Sequence, residues 1–462
     1  MDTKRDQGHR SGLKTARDRR GWGQEQAAEA VQVSVSTWSR WERGVQDVRP
    51  AHRARLAEVF GTTLQEVSLW FGDGPEPVRT PADGWSGCTG YTGGTVRGAV
   101  ELWAADADVR RRRELRSLPV SPEAWPEWLL SWDLDAGPES REHAGRSRRV
   151  GMPDVRRIQE ATRAFASMDR RHGGGMVRPA VVDYLHTRVA PLLAGTYPDR
   201  VGAALLTAAA TMTGLAGWEA YDLRLDGLAQ RHYGQALGLA KAADDPMTAA
   251  WVLTVMSQQA IDLGRPVWAV RLARAARRSG RDAGAPPRVR AALALREARA
   301  TALRAELSEV PDGHTARRVR RLLEEVETTF ALATPGDEEP SWISDLGPAE
   351  IAAEAGCAWR MIGEAGRAAA CAREALAGFG TAYPRSAQFN VVHEAQALAR
   401  LGELDEAVAV ARRAVPMANG LTSRRARALL KSFTAELSPH QGHPVVREWR
   451  EYLRTALRPA AA

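Results

Sequence analysis

The stretch GQEQAAEAVQVSVSTWSRWERG, residues 23–44, decides how the chain begins to fold. Gln24 to Val31 reads as one short helix with Ala27, Ala28 and Val31 on its inner face. QVS is a turn. Ser34 is a good cap for a second helix, because its hydroxyl accepts a free amide proton of the first turn. Gly44 suits the left-handed position that closes that helix. Trp38 and Trp41 are three apart and share a face. They are expected to anchor the helix to a small core with Leu13, Val31, Val33, Leu56 and Val59. Val35, Ser36, Thr37, Ser39 and Arg40 are left for the remaining surface. Small side chains there let a helix sit deep in a groove, and Arg40 and Arg43 are long enough to reach phosphates or a guanine edge. The competing reading makes the two tryptophans a stacking platform for single strands. Helical spacing on an apolar face argues for core instead.

Working outward, 462 residues suffice for two or three domains and a sizeable core. Hydrophobic residues make up 44% and charged residues 26%, an ordinary soluble balance. No apolar run is expected to span a bilayer, and MDTKRDQGHRSG carries charge without the apolar centre of a secretory signal. Cys88, Cys357 and Cys371 are too few and too scattered for a disulfide framework or a zinc site. The expected location is the cytoplasm, with reduced thiols and no membrane partner. A net charge of +8 permits an anionic partner. It is not concentrated at one end: residues 1–72 hold 12 Lys and Arg against 9 Asp and Glu.

Three zones follow, at 11–72, 73–151 and 152–457. The first reads as short amphipathic helices. The second opens with GDGPEPVRTPADGWSGCTGYTGG, whose Gly, Pro and Thr content predicts a linker. It contains one helical island, AVELWAADADVRRRRELRSL at 99–118, and prolines at 119, 122, 126 and 138 break any long helix after it. The third zone is rich in Ala, Leu and Arg, with an apolar period close to 3.6 and no alternating strand. The fold class is all-α.

The third zone repeats itself. Small residues recur at Gly217, Ser257, Gly356 and Ala395, the first two 40 apart and the last two 39 apart. Each is followed by Ala220, Ala260, Trp359 or Leu398, then by Ala229, Ala269, Ala368 or Ala407, and then by Ala236, Ala276, Ala375 or Ala414. Glu297 and Ala300 start a further unit whose second helix is delayed by PDGHTARR. The physical reading is a helical hairpin in which small side chains let two helices approach, with Gly264 and Gly402 ending the first helix. One hairpin cannot bury both faces, so neighbours stack into an α-solenoid. The units look like tetratricopeptide repeats, though longer than the usual ~34 residues. The alternative is a non-repetitive Ala-rich bundle.

Residues 13–70, LKTARDRRGWGQEQAAEAVQVSVSTWSRWERG through PAHRARLAEVFGTTLQEVSLW, resemble the Cro/C1-type (XRE) helix-turn-helix family, a five-helix domain whose second motif helix lies in the major groove. The resemblance implies double-stranded DNA as partner and a homodimer. It implies that Val35, Ser36 and Arg40 face bases, with Thr37 and Ser39 beside them, that Gln24 holds the DNA backbone, and that Arg43 meets a phosphate. It further implies an ion pair between Arg17 and Glu42 behind the recognition helix. The chain departs from the family pattern at four places, one of them Val35. Gln32 stands where the turn usually has Gly, Ala27 where a larger aliphatic is usual, and Trp38 where Ile or Val is usual. The last two compensate in volume across one core. Val35 replaces a residue that often reads a base.

RRHGGGMVRPAVVDYLHTRVAPLLAG with LAGWEAYDLRLDGLAQRHYGQAL, and VELWAADADVRRRRELRSL before them, resemble regulators that join such a domain to a C-terminal tetratricopeptide array. That implies a transcriptional regulator whose concave groove binds a ligand, a peptide or a partner protein. Gln258, Arg360 and Asn390 are the candidate groove residues. The runner-up is an interaction scaffold with a degenerate N-terminal domain. GCTGYTGG follows no strand and lacks the lysine of a phosphate loop. RRRR at 110–113 is either a DNA contact or a solvated helix face. His172 reads as a loop histidine, and no other histidines are spaced to hold a metal. No triad or GxSxG is present, so no catalytic site, cofactor or metal is expected.

Overall fold

The computed structural model describes residues 11–46, 48, 50–60, 62, 67, 70, 95–134, 148–308, 313–334, 339–380 and 382–458. The chain divides into two compact units, Met1–Ser86 and Gly87–Ala462. All regular structure among the described residues is helical, and the sole strand-like pairing is an isolated bridge between Arg149 and Thr196.

In the small unit, α1 (Ser11–Arg19), α2 (Gln24–Val31), α3 (Val35–Glu42) and α4 (Pro50–Phe60) enclose one core. Leu13, Ala27, Ala28, Val31, Trp38, Trp41 and Leu56 are buried there, with Val33 and Val59 packed against them. Trp38 stacks on Phe60 at 6.2 Å and lies 6.2 Å from Trp41. The full loss of exposure at both Ala27 and Trp38 fits the exchange of a large side chain for a small one across the core. Most of the expected fifth helix lies outside the described residues, but Val67 is buried in this core and Trp70 meets Phe60 edge-on.

In the large unit, five hairpins follow one another. They are α11 (Asp199–Asp222) with α12 (Asp226–Ala242), α13 (Pro246–Asp262) with α14 (Pro266–Asp282), α15 (Pro287–Glu306) with α16 (Gly313–Phe330), α17 (Pro348–Met361) with α18 (Ala365–Phe379), and α19 (Pro384–Arg400) with α20 (Leu404–Asn419). Before them come α5 (Thr95–Ala107), α6 (Val109–Leu115), α7 (Ala124–Leu134), α8 (Met152–His172), α9 (Gly174–Tyr184), a π turn at Leu185–Val189 and α10 (Ala190–Leu193). After them come α21 (Arg424–Glu436) and α22 (Pro444–Ala456).

The repeated small residues mark the seam inside each hairpin. A Cβ on Gly217 would lie 2.6 Å from the Tyr233 ring, so only glycine lets α11 and α12 approach this closely. Ser257 instead donates its hydroxyl to the Ala269 carbonyl across the same seam, at 2.9 Å. Ala229, Ala269 and Ala407, and Ala236, Ala276, Ala375 and Ala414, have no exposure at all. Gly264 and Gly402 close their helices with φ of 64° and 86°. The equivalent place after α11 is held by Arg224 at φ 59°, without the help of glycine.

Two expectations are corrected here. The sequence of zone 73–151 predicts one helical segment at 99–118; in the structure, Thr95–Ala107, Val109–Leu115 and Ala124–Leu134 are three helices of the large unit. The reason is aromatic burial. Trp103, Trp125 and Trp128 are buried, and the Trp128 ring fills the space over Gly234, where a Cβ would lie 2.5 Å from it. Asp106, with no exposure, accepts from Arg178 and lies 2.8 Å from Nε2 of His232, which ties α5 to α9 and α12. The second correction concerns apolar runs. Asp199–Asp222 is long and apolar enough to cross a membrane by length and composition, but 72% of its apolar window is buried in the fold as the first helix of its hairpin.

The last hairpin and the connection after it meet the helices that precede the first hairpin. Arg385 on α19 holds Asp169 on α8 through two bonds of 2.9 and 2.7 Å. The Thr422 amide donates to the His172 carbonyl at 2.8 Å, and the Gly175 amide donates back to the Thr422 carbonyl at 3.2 Å. His172 therefore ends α8 rather than sitting in a loop, and its carbonyl is part of this clasp.

Candidate nucleic-acid interface

The turn between α2 and α3 is built locally. Gln32 sits in the left-handed region at φ 60° and ψ 47°, and its amide donates back to the carbonyls of Ala28 and Glu29. Ser34 is extended, and its hydroxyl accepts from the Thr37 amide at 3.2 Å. The same hydroxyl lies 2.9 Å from that of Ser36 and 2.8 Å from that of Thr37. Gly44, at φ 70°, closes the far end.

These constraints present one face of α3. Val35, Ser36 and Arg40 are exposed, Thr37 and Ser39 are half-buried, and Trp38, Trp41 and Glu42 point inward. Val35 keeps 42% of its surface in solvent. Arg43 is exposed and its Nε donates to the Ser39 carbonyl at 3.3 Å, which lays the side chain back along the helix.

Behind this face lies a buried charge network. Nε of Arg17 is 2.6 Å from Oε1 of Glu42. Glu42 also accepts from the Trp38 indole at 2.9 Å and from the Gln24 amide at 2.6 Å. Arg17 donates as well to the Trp22 carbonyl at 2.7 Å and pairs with Asp18 at 2.8 Å. Burial opposes the charge on Glu42, but the donors Arg17, Trp38 and Gln24 outweigh it and hold its carboxyl below the usual range. The bond to Glu42 raises Arg17 in turn. Two roles here were not legible in the sequence. Trp38 is a hydrogen-bond donor as well as a core residue. Gln24, expected on the DNA backbone, has its amide tethered inward to Glu42, so the start of α2 is fixed against α3.

In the large unit, the three candidate groove residues come together. Gln258 on α13, Arg360 on α17 and Asn390 on α19 line one cavity of about 430 Å³. Arg110, Arg111 and Arg113 are exposed, whereas Arg112 donates to the carbonyls of Asp106 and Ala107 at 2.7 and 3.1 Å and so closes α5. GCTGYTGG and Cys88 fall outside the described residues. Among the described residues no group of three or more His, Cys, Asp and Glu side chains is arranged to hold a metal ion.

No curated protein and no solved structure matches the chain. Residues 12–70, about an eighth of its length, match the family model of a helix-turn-helix domain, which implies DNA binding by the unit that carries α3.

Proposed function

We propose that the chain is a sequence-specific, DNA-binding transcriptional regulator of the Cro/C1-type (XRE) kind, without catalytic activity. Two copies acting on related half-sites would read DNA with α3, in the cytoplasm. The carrying observation is the face of α3: exposed Val35, Ser36 and Arg40 on a helix locked from behind by the Arg17–Glu42 network. Ser36, Thr37 and Ser39 allow close approach, Arg40 supplies base or phosphate contacts, and Arg43 reaches phosphate after swinging away from Ser39. Gln24 contributes by holding the α2 start in place. The large unit, read as a tetratricopeptide-like array, supplies a ligand or peptide site and the contacts for dimerisation. The scaffold reading rested on the departures at Gln32, Ala27 and Val35. The turn and core absorb the first two, and the third leaves an exposed apolar contact suited to a thymine methyl.

The test is selection of bound sequences from random duplex DNA, with wild type and Arg40→Ala in parallel. The expected result is an enriched motif of two half-sites that blurs at one position in the variant. The wild-type affinity should fall steeply with salt, as phosphate contacts require. An absence of enrichment from folded protein, both with and without cell extract, would overturn the reading.

A further inference from the structure

The first helices of the hairpins line the cavity that holds Gln258, Arg360 and Asn390. The second helices contribute nothing to it, and their exposed charge is uneven. On α14 five arginines stand against one acidic residue, so 17 residues carry a net charge of +4, half of the excess of +8 in the whole chain. Residues 313–321, the first half of α16, add four arginines and no acidic residue. On α20, by contrast, the exposed charges are Asp405, Glu406 and Arg413.

The arrangement concentrates this charge. Arg271, Arg274, Arg278 and Arg281 are exposed at intervals of three and four, which puts them on one face along about 15 Å of helix. Arg317 and Arg321, four apart, are exposed on α16. Like charges at these intervals repel. A single buried carboxylate holds the two helices side by side: Glu297 on α15, 3% exposed, takes Arg274, Arg277 and Arg318 at 3.2, 2.8 and 2.6 Å. Arg277 also pairs with Glu325 on α16. Arg271, Arg281, Arg317 and Arg321 have no carboxylate partner among the described residues. The Arg271 guanidinium lies 5.0 Å from the Trp268 ring. A row of unanswered like charges is relieved by an extended polyanion. Duplex DNA offers one negative charge per ~1.7 Å of its axis, about nine along this row. A membrane surface is the other polyanion, and peripheral attachment adds apolar side chains to the cations. Between Arg271 and Arg281, and between Arg317 and Arg321, every large apolar side chain is buried. The run Arg110–Arg113 is a weaker match, since Asp108 and Glu114 flank it and Arg112 is turned inward.

We propose that the surface formed by α14 and the first half of α16 binds the phosphate backbone of duplex DNA, independent of base sequence. The choice of DNA as the polyanion rests on the reading of the small unit as DNA-binding, and the surface is a second contact besides α3.

The test is fluorescence anisotropy of the full chain on a duplex of about 40 random base pairs, titrated over a series of salt concentrations. One variant replaces Arg271, Arg281, Arg317 and Arg321 with Gln. A control replaces Arg156, Arg163, Arg413 and Arg447 with Gln, exposed arginines elsewhere on the large unit, and so loses the same net charge. The logarithm of affinity falls with the logarithm of salt by about 0.9 for each phosphate contact, so the first variant should flatten the slope by up to about 3.6. The control should keep the wild-type slope. Should the first variant melt early by circular dichroism, Arg317→Gln with Arg321→Gln alone serves, with an expected flattening of up to about 1.8. A flattening of less than about 0.9, the value of one contact, or an equal flattening in the control, would overturn the proposal. So would an unaltered DNA slope in a variant that no longer binds vesicles of phosphatidylserine and phosphatidylcholine, which would make the surface a membrane contact. The DNA selection is scored separately. An enriched motif with an unaltered slope removes only this surface, and a flattened slope without enrichment removes the sequence-specific regulator while leaving the surface.

Discussion

Glu42→Ala is the sharpest test of how the small unit is held together. In the wild type one carboxylate answers three donors: Arg17, Trp38 and Gln24. Alanine leaves a buried guanidinium without its main partner. Removing one member of a buried pair costs about 3–5 kcal/mol. The low end applies, because Arg17 keeps the Trp22 carbonyl and Asp18. A unit of this size has on the order of 3–9 kcal/mol in total, so a loss of about 3 kcal/mol is a large share. Hydrogen exchange on the full chain reads it locally. Amides of α3 that open with the whole small unit should exchange about 150-fold faster, from 1.36 kcal/mol per factor of ten, while those of α11 to α20 keep their rates. Glu42→Gln, which keeps one acceptor and loses the charge, should fall between. The pH dependence has a fixed sign. Because the folded carboxyl titrates below its usual value of 4.5, its stabilisation is fully present above that value and fades as pH falls through the folded pKa. The wild type should therefore lose α3 protection in acid more steeply than Glu42→Ala. An increase of less than about tenfold in exchange, too small for a buried pair, would refute the argument that this network sustains the unit.

Gln32→Gly should stabilise the small unit by about 1 kcal/mol, since a non-glycine residue at φ 60° carries a penalty of that order; slower α3 exchange would show it, and faster exchange would contradict it. Asp106→Asn should lower the melting temperature of the large unit, because Arg178 and His232 lose a buried partner worth about 3–5 kcal/mol. Burial opposes the Asp106 charge, yet Arg178 and His232 hold its carboxyl at about 2, so its stabilisation is whole above 3.8 and drains only as pH approaches 2; thermal melts at pH 7 and pH 3 should both separate wild type from the variant. Gly227→Ala would place a Cβ 2.1 Å from the Leu118 carbonyl oxygen and 2.5 Å from that of Pro119, both backbone atoms. Overpacking of this kind costs about 1–3 kcal/mol, and limited proteolysis should then cut between 109 and 134 first.

What the sequence made legible was local or periodic. Ser34 and Gly44 bracket α3 by their own backbone chemistry, and Trp38 and Trp41 show its buried face by spacing alone. The hairpins are legible because small residues return 40 apart at Gly217 and Ser257 and 39 apart at Gly356 and Ala395, with the same offsets to the alanines that follow. The helix at 124–134 is hidden in the sequence because a proline inside a segment reads as a break. Pro119 and Pro122 do lie in the connection between α6 and α7, but Pro126 falls in the first turn of α7, where its missing N–H costs nothing. The burial that makes these helices part of the large unit comes from α12, more than a hundred residues away, as in the bond between Gln230 and the Ser121 amide at 2.8 Å. The clasp is equally invisible, since Asp169 and Arg385 are 216 residues apart. Nothing in its own helix shows that the Gln24 amide meets Glu42, eighteen residues on.

The spacing that repeats the small residues also organises the polar ones. Tyr221 donates to Asp262, 41 residues on; Arg299 reaches Gln258 across the same interval at 3.2 Å; and Arg400 reaches the Arg360 carbonyl over 40 residues at 2.7 Å. Each bond joins the first helix of one hairpin to that of the next. Small residues, mainly alanine and glycine, line the seam within a hairpin. The long side chains stand between hairpins, where they set the distance from one unit to its neighbour. In a stack where each repeat touches mainly its neighbours, small changes in spacing accumulate along the array. Here the Asp169–Arg385 pair also ties the last hairpin to α8, which precedes the first hairpin. A change in spacing at any of these bonds is therefore opposed by the Arg385 guanidinium, which pairs with Asp169 on α8 and lies 3.4 Å from Asp222 on α11.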